Sequence, residues 1–152
     1  FSKVDYIFLL SLMIIDDTDN AEYFIYKFNL SKKNQKRIVY LNKFYSEKIT
    51  TETFLEKNLN KILYYNGRDA LMDIIYFKIF KSNKIDNRLI DLIKIFKEKK
   101  IPTIPLKAKV LMEKYRVPEG QELGKKLRAI EETWINNNFQ ISEKEIEKIV
   151  KN

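Results

Sequence analysis

The sequence predicts an all-α protein, a helical bundle or array of about eight or nine helices with a smaller C-terminal helical lobe. Apolar residues recur three and four positions apart along almost the whole chain, the spacing that lines one face of a 3.6-residue helix. Ser, Thr, Asp or Asn stands ahead of most of those runs, where a side-chain oxygen can accept from the unpaired N–H groups of a first turn. No stretch alternates apolar and polar residues as a half-buried strand does, and no segment repeats. At 152 residues and 45% hydrophobic, the chain can bury roughly 68–70% of its unfolded surface, as one domain or two small lobes.

Taken in order, Val4–Ile15 is apolar on nearly every side, interrupted by Ser11, and is expected to form a buried helix. Asp16-Asp17-Thr18-Asp19 ends it, and Asp19 or Asn20 can cap a helix running to about Phe28. Ser31 is the expected N-cap of the next, which carries Ile38, Leu41 and Tyr45 at helical spacing. A fourth helix begins near Thr50 or Thr51 and runs through Phe54, Leu55, Leu59, Ile62 and Leu63. Gly67 is expected to close it in the left-handed conformation that a residue without Cβ adopts freely. Arg68–Phe80 is apolar on one face, and Asp86 caps a sixth helix to about Lys99. Ile101-Pro102-Thr103-Ile104-Pro105 is extended, because each proline restricts itself and its predecessor. It reads as a linker between a helical body, 1–101, and a helical tail, 102–152. The tail holds a short helix over Leu106–Lys114, a turn at Arg116–Gly120 and a long helix to about Asn138. A last helix is opened by the capping box Ser142-x-x-Glu145.

Composition removes most catalytic templates. With no Cys and no His there is no disulfide, no thiol nucleophile, no His-dependent general base and no zinc site of the usual ligands. Gly67, Gly120 and Gly124 are the only glycines, too few for a glycine-rich phosphate loop. Val4–Ile15 spans 12 residues, short of the roughly 20 that cross a bilayer, and lacks the flanks of a secretory signal. No membrane association is expected, and the cytoplasm is the expected compartment. Phe1 opens in mid-pattern, as a portion of a longer protein would.

Lys and Arg number 29 against 21 Asp and Glu, a net charge of +8. Ile, Lys and Asn supply 58 residues and Lys outnumbers Arg 24 to 5, a bias typical of AT-rich coding, so the charge permits a nucleic-acid partner without proving one. The excess concentrates on residues 31–68, with nine cations against three acids. There Lys32, Lys33, Lys36, Arg37, Lys43 and Lys48 interleave with Tyr40, Phe44 and Tyr45. Lysines four apart share a helix face and can follow a phosphate backbone, and tyrosines can stack on unpaired bases. The plainer reading is a solvated face over core aromatics. Asp16, Asp17 and Asp19 have a spacing that suits a metal, but between two helices they suffice as a turn and cap. Near residue 120, Gly120 permits a tight entry into a helix and Gly124 would let another backbone approach its first turn. The free N–H groups there, with Lys125, Lys126 and Arg128, can hold a phosphate, in competition with Glu119 and Glu122. A simple packed corner explains the same residues.

Pro105-Leu106-Lys107-Ala108-Lys109-Val110-Leu111 leads into Gly120-x-x-x-Gly124-x-x-Leu127, then Glu131-x-x-Trp134-Ile135 and Phe139. This order resembles the C-terminal end of bacterial CCA-adding enzymes, in the tRNA nucleotidyltransferase/poly(A) polymerase family. Leu30-Ser31 and Tyr64-Tyr65-Asn66-Gly67 resemble helix starts in the body of the same family. Ala108, Val110, Glu119, Gln121 and Thr133 stand where the family usually has Gly, Asp, Pro, Pro and Trp. The resemblance implies the tRNA-binding body and tail, which grip the acceptor stem and elbow and orient the 3′ end toward a catalytic head. That head, which uses magnesium, has no counterpart in these residues; it would act in cis or in trans, and no cofactor is expected in this chain. On this reading the RNA-binding residues are Lys32, Lys33, Lys36, Arg37, Lys107, Lys109, Gly120, Gly124, Lys125, Lys126 and Arg128, with no catalytic residue and no metal ligand, and Trp134 belongs to the core. A helical protein-interaction module is the alternative, as is half of a split nucleotidyltransferase whose head docks on Val4–Ile15.

Overall fold

The computed structural model describes residues 5–47 and 51–151. Among these it contains no strand and eight α-helices: α1 (Tyr6–Ile14), α2 (Asn20–Lys27), α3 (Lys32–Ser46), α4 (Glu56–Lys81), α5 (Asn87–Glu98), α6 (Ala108–Tyr115), α7 (Gln121–Asn136) and α8 (Glu143–Lys151), with a 3-10 turn at Thr51–Phe54. The all-α architecture is the one expected. Val4, Lys48 and Thr50, which the sequence reading invoked, lie outside the described residues. None of the described helices is long and apolar enough to cross a membrane.

The chain divides into two compact units, which its backbone enters more than once. Residues up to Phe54 together with Asn66–Lys99 form the first, and Leu55–Tyr65 together with the residues from Lys100 on form the second. The sequence pattern places Leu55–Tyr65 in the body. In the structure it packs with the C-terminal residues, because Tyr64 sits edge-on to the Trp134 ring at 5.6 Å, its Oη donating to Glu131 at 2.7 Å. Gly67 interrupts α4 at the residue after Asn66, with φ 86° and ψ 171°. This is not the left-handed cap expected but a region that essentially only glycine occupies. A Cβ there meets nothing within 4 Å, so the requirement for glycine is purely conformational.

In the first unit α1, α2 and α3 pack mutually. Asp5 accepts from the Phe8 N–H at 3.0 Å and caps the start of α1. Ile7, Phe8 and Ser11 are buried, Ser11 satisfied by donating to the Ile7 carbonyl at 2.7 Å, and Phe8 meets Phe80 edge-on at 5.8 Å. The expectation of a helix buried all round is corrected here: Tyr6, Leu9 and Met13 are 69%, 49% and 79% exposed. Neighbours cover only one face, and three- and four-residue spacing collects these three side chains on another. Ser31 caps α3 through the Asn34 N–H, Asp86 caps α5 through the Arg88 N–H, and α5 buries Leu89, Leu92 and Phe96 on one stripe.

The second unit is held by Leu111, Val117, Leu123, Ile130 and Ile146, with Met112, Leu127, Ile141 and Ile149 packed on them. Trp134 is buried as expected and Phe139 closes on it at 5.0 Å, its N–H donating to the Trp134 carbonyl at 2.8 Å. The capping box forms as read: the Ser142 N–H donates to Glu145 at 2.8 Å and the Glu145 N–H to Ser142 Oγ at 3.3 Å.

Candidate nucleic-acid interface

Lys32, Lys33 and Lys36 occupy the start of α3, exposed, and have no acidic partner among the described residues. The first turn of α3 contains no acid, so the three ammonium groups adjoin the positive end of the helix dipole. Like charge at a helix N-terminus is locally unfavourable, and the combination of cations, free N–H groups and dipole favours an anion. Lys43, further along the helix, makes only a loose exposed pair with Glu47 at 3.8 Å.

Arg37, expected on the same phosphate-binding face, is turned inward. Its guanidinium forms a fork on Asp73, one arm at 2.7 Å and the Nε contact shorter, and reaches Asp5 at 2.6 Å. These hydrogen bonds, Asp73 first, raise its already high pKa against the opposing effect of burial. Burial pushes the Asp73 carboxyl up, against the pull of the guanidinium. At Asp5 desolvation is outweighed by the Arg37 and Phe8 hydrogen bonds, which hold it below its ordinary value. Arg37 is therefore half-buried and engaged by two carboxylates within the first unit. The sequence did carry a signal for this, an acid at Asp73 flanked by the buried Leu71, Ile74, Ile75 and Phe77, which must find a cation.

The interleaved aromatics divide similarly. Tyr45 packs on Phe77 at 5.5 Å and Phe44 on Phe54 at 6.5 Å, and all three aromatics of the run, Tyr40 included, are half-buried. Tyr40 lines a groove of about 510 Å³ with Ile25, Lys32, Gln35, Lys36, Val39 and Lys43.

In the second unit Lys107, Lys125 and Arg128 are exposed and have no acidic partner among the described residues, while Lys109 lies 3.7 Å from Glu113. Lys126 is engaged internally: its side chain is 12% exposed and Nζ donates to the Val150 carbonyl at 2.5 Å, with Glu122 at 3.4 Å. Gly120 is the N-cap of α7 at φ 134°, consistent with a tight entry. Gly124 serves no close approach, because a Cβ there meets nothing within 4 Å. The Tyr64 hydroxyl, hydrogen-bonded to Glu131 and partly desolvated, is pushed up to about 12.

The acidic turn is accounted for without a ligand. Asp16 accepts from the Thr18 N–H, from Thr18 Oγ1 and from Asn20 Nδ2 at 3.2, 2.5 and 2.8 Å. Asp19 is the N-cap of α2 by position but makes no side-chain cap. Among the described residues no three acidic, His or Cys side chains are grouped to hold a metal ion.

Comparison with family models, with curated proteins and with solved structures returns no significant match to this chain. What the described residues define is thus an all-helical protein of two units, with a cluster of exposed lysines at the start of one helix.

Proposed function

We propose that this chain is the tRNA-binding portion of a CCA-type nucleotidyltransferase, gripping the acceptor stem and elbow by shape and phosphates and orienting the 3′ end toward a catalytic head. By itself it transfers no nucleotide. The observation that carries the reading is the start of α3, where Lys32, Lys33 and Lys36 stand exposed, without acids, against an unfavourable dipole. The second unit has exposed cations of its own, Lys107, Lys125 and Arg128. A-form RNA offers few base edges to side chains, so phosphate contact by flexible lysines suits a shape reader. The resemblance of the residues from Pro105 to Phe139 to the C-terminal end of that family supports the reading, and the head acts in cis or in trans. Under the second arrangement the exposed stripe Tyr6, Leu9 and Met13 is where a separate head would dock, and mixing with a head-bearing chain would restore activity.

Fluorescence anisotropy of labelled tRNA lacking its CCA end, at two salt concentrations, tests the proposal. Affinity is expected to fall steeply with salt, and the salt slope to drop by about one for each lysine replaced in Lys32→Glu/Lys33→Glu/Lys36→Glu. No binding at low salt by the folded protein, or a triple variant that binds as well as the parent, overturns it.

A further inference from the structure

The groove along α2 and α3 has a feature that phosphate binding does not require, an apolar floor. Ile25 of α2 and Val39 of α3 form it, and Val39 is 52% exposed. It continues past Lys43 into a second hollow of about 270 Å³ bordered by Ala21, Glu22, Ile25, Val39, Asn42, Lys43 and Ser46. Lys32, Lys36 and Lys43 stand along one edge, four and seven residues apart, so all three fall on the face of α3 that also carries Val39. The helical rise separates them by about 6 and about 10 Å, some three turns in all. Among the described residues the acid bordering the trough is Glu22, which accepts from Asn42 Nδ2 at 3.2 Å. An aliphatic floor with a line of ammonium groups at helical intervals is the complement of an amphipathic helix whose polar edge is acidic.

We infer that the α2–α3 groove binds an acidic amphipathic helix of a partner protein, its apolar stripe on Ile25 and Val39 and its carboxylates on Lys32, Lys36 and Lys43. The matching pattern is Asp or Glu at positions i, i+4 and i+11 beside Leu, Ile or Phe at three- and four-residue spacing, over about three turns. Charge selects the partner and slows the wrong ones, and the floor supplies affinity that outlasts salt. Lys43 exchanges its loose contact with Glu47 for the partner carboxylate. Because Val39 is already in solvent, changing it tests the site without opening the core. The inference goes beyond the RNA reading and stands without it, since phosphate contact leaves the aliphatic floor unused.

The test titrates the 152-residue chain into three labelled probes: a peptide of that acidic-amphipathic pattern, a scramble of the same composition, and a single-stranded RNA. The patterned peptide is expected to bind at least about tenfold more tightly than the scramble. Val39→Glu is expected to remove that preference, while Lys84→Glu, an exposed lysine that does not border the groove, leaves it within about twofold. Two-dimensional NMR of methyl-labelled protein should show shifts at the Ile25 and Val39 methyls on peptide addition, which reads the site even if a variant folds poorly. Equal binding of the scramble, or no methyl shifts at saturation, overturns the proposal by reducing it to bulk charge. RNA binding lost in Val39→Glu, with peptide binding absent, overturns it in favour of a nucleotide in the groove. Failure of tRNA to bind leaves the peptide result unaffected and sinks only the RNA reading.

Discussion

The starts of α3 and α7 are two basic helix entries built on opposite electrostatics. At α3 a Ser31 side chain caps the Asn34 N–H, and the residues that follow are cationic, with no acid in the first turn. At α7 the cap is Gly120, which offers no side chain, and Glu122 supplies the negative charge that the dipole favours. Each entry also turns one cation inward, Arg37 to Asp73 and Asp5, Lys126 to Val150 and Glu122. What remains outside differs. The lysines of α3 act against local stability, whereas those of α7 sit where the helix already tolerates them. Charge counts alone rank the two regions by number; position relative to the dipole and to buried carboxylates separates a cation that stabilises the fold from one that does not.

Removing the inward partners should show the largest contrast. Asp73→Ala leaves a half-buried guanidinium with Asp5 alone and is expected to cost about 3 kcal/mol in urea unfolding. Lys126→Met, which loses a neutral acceptor and a weak ion pair, should cost about 1 kcal/mol. Equal losses would erase the distinction. At the caps, Gly120→Ala forces a Cβ into φ 134° and is expected to destabilise by about 1–2 kcal/mol. Ser31→Ala should cost about 1 kcal/mol, read from the same denaturation curves. Gly124→Ala, in open space within the helix, should instead raise stability by about 0.5 kcal/mol. The smallest effect is the most diagnostic: Lys33→Glu is expected to stabilise by a few tenths of a kcal/mol at low salt while weakening tRNA binding. Loss of stability there would mean that the α3 lysines are structural.

A pH titration probes the α7 side separately. Tyr64 titrates from about 12 in the folded chain against an ordinary value of 10.0, so its contribution is complete below the lower figure and lost as pH rises through the higher one. The wild type should therefore lose more stability than Tyr64→Phe between those two values, measured by urea midpoints at successive pH. Parallel curves would show that the Tyr64–Glu131 bond contributes nothing.

Local chemistry was legible and long-range chemistry was not. Ser31, Asp86 and the Ser142–Glu145 box announce their helices because a cap needs only its own next three residues. The all-α class follows from periodicity spread over the chain. By contrast Leu55–Tyr65 continues the helical pattern of its surroundings, and its allegiance is set by Trp134 and Glu131, far away in sequence. Val4–Ile15 reads as buried because hydropathy records what a residue prefers; Tyr6, Leu9 and Met13 lie in solvent because covering them depends on neighbours. In the candidate site the exposed lysines were legible as residues, but Arg37 and Lys126 look the same as their neighbours until a carboxylate or carbonyl is placed opposite them. Val39 was overlooked because a lone apolar residue among lysines on a helix face carries no signal until α2 supplies Ile25 beside it.

Trp134 is the only tryptophan in the chain, 2% exposed, and its ring neighbours Tyr64 and Phe139 belong to the same unit. Its emission spectrum is therefore a built-in reporter of one half of the protein, while backbone circular dichroism sees both. If the two signals melt together, the units share a single cooperative transition. If the dichroism loses amplitude first while the emission stays blue, the half containing α3 unravels on its own. A reporter that distinguishes the two cases without any added label is already in place.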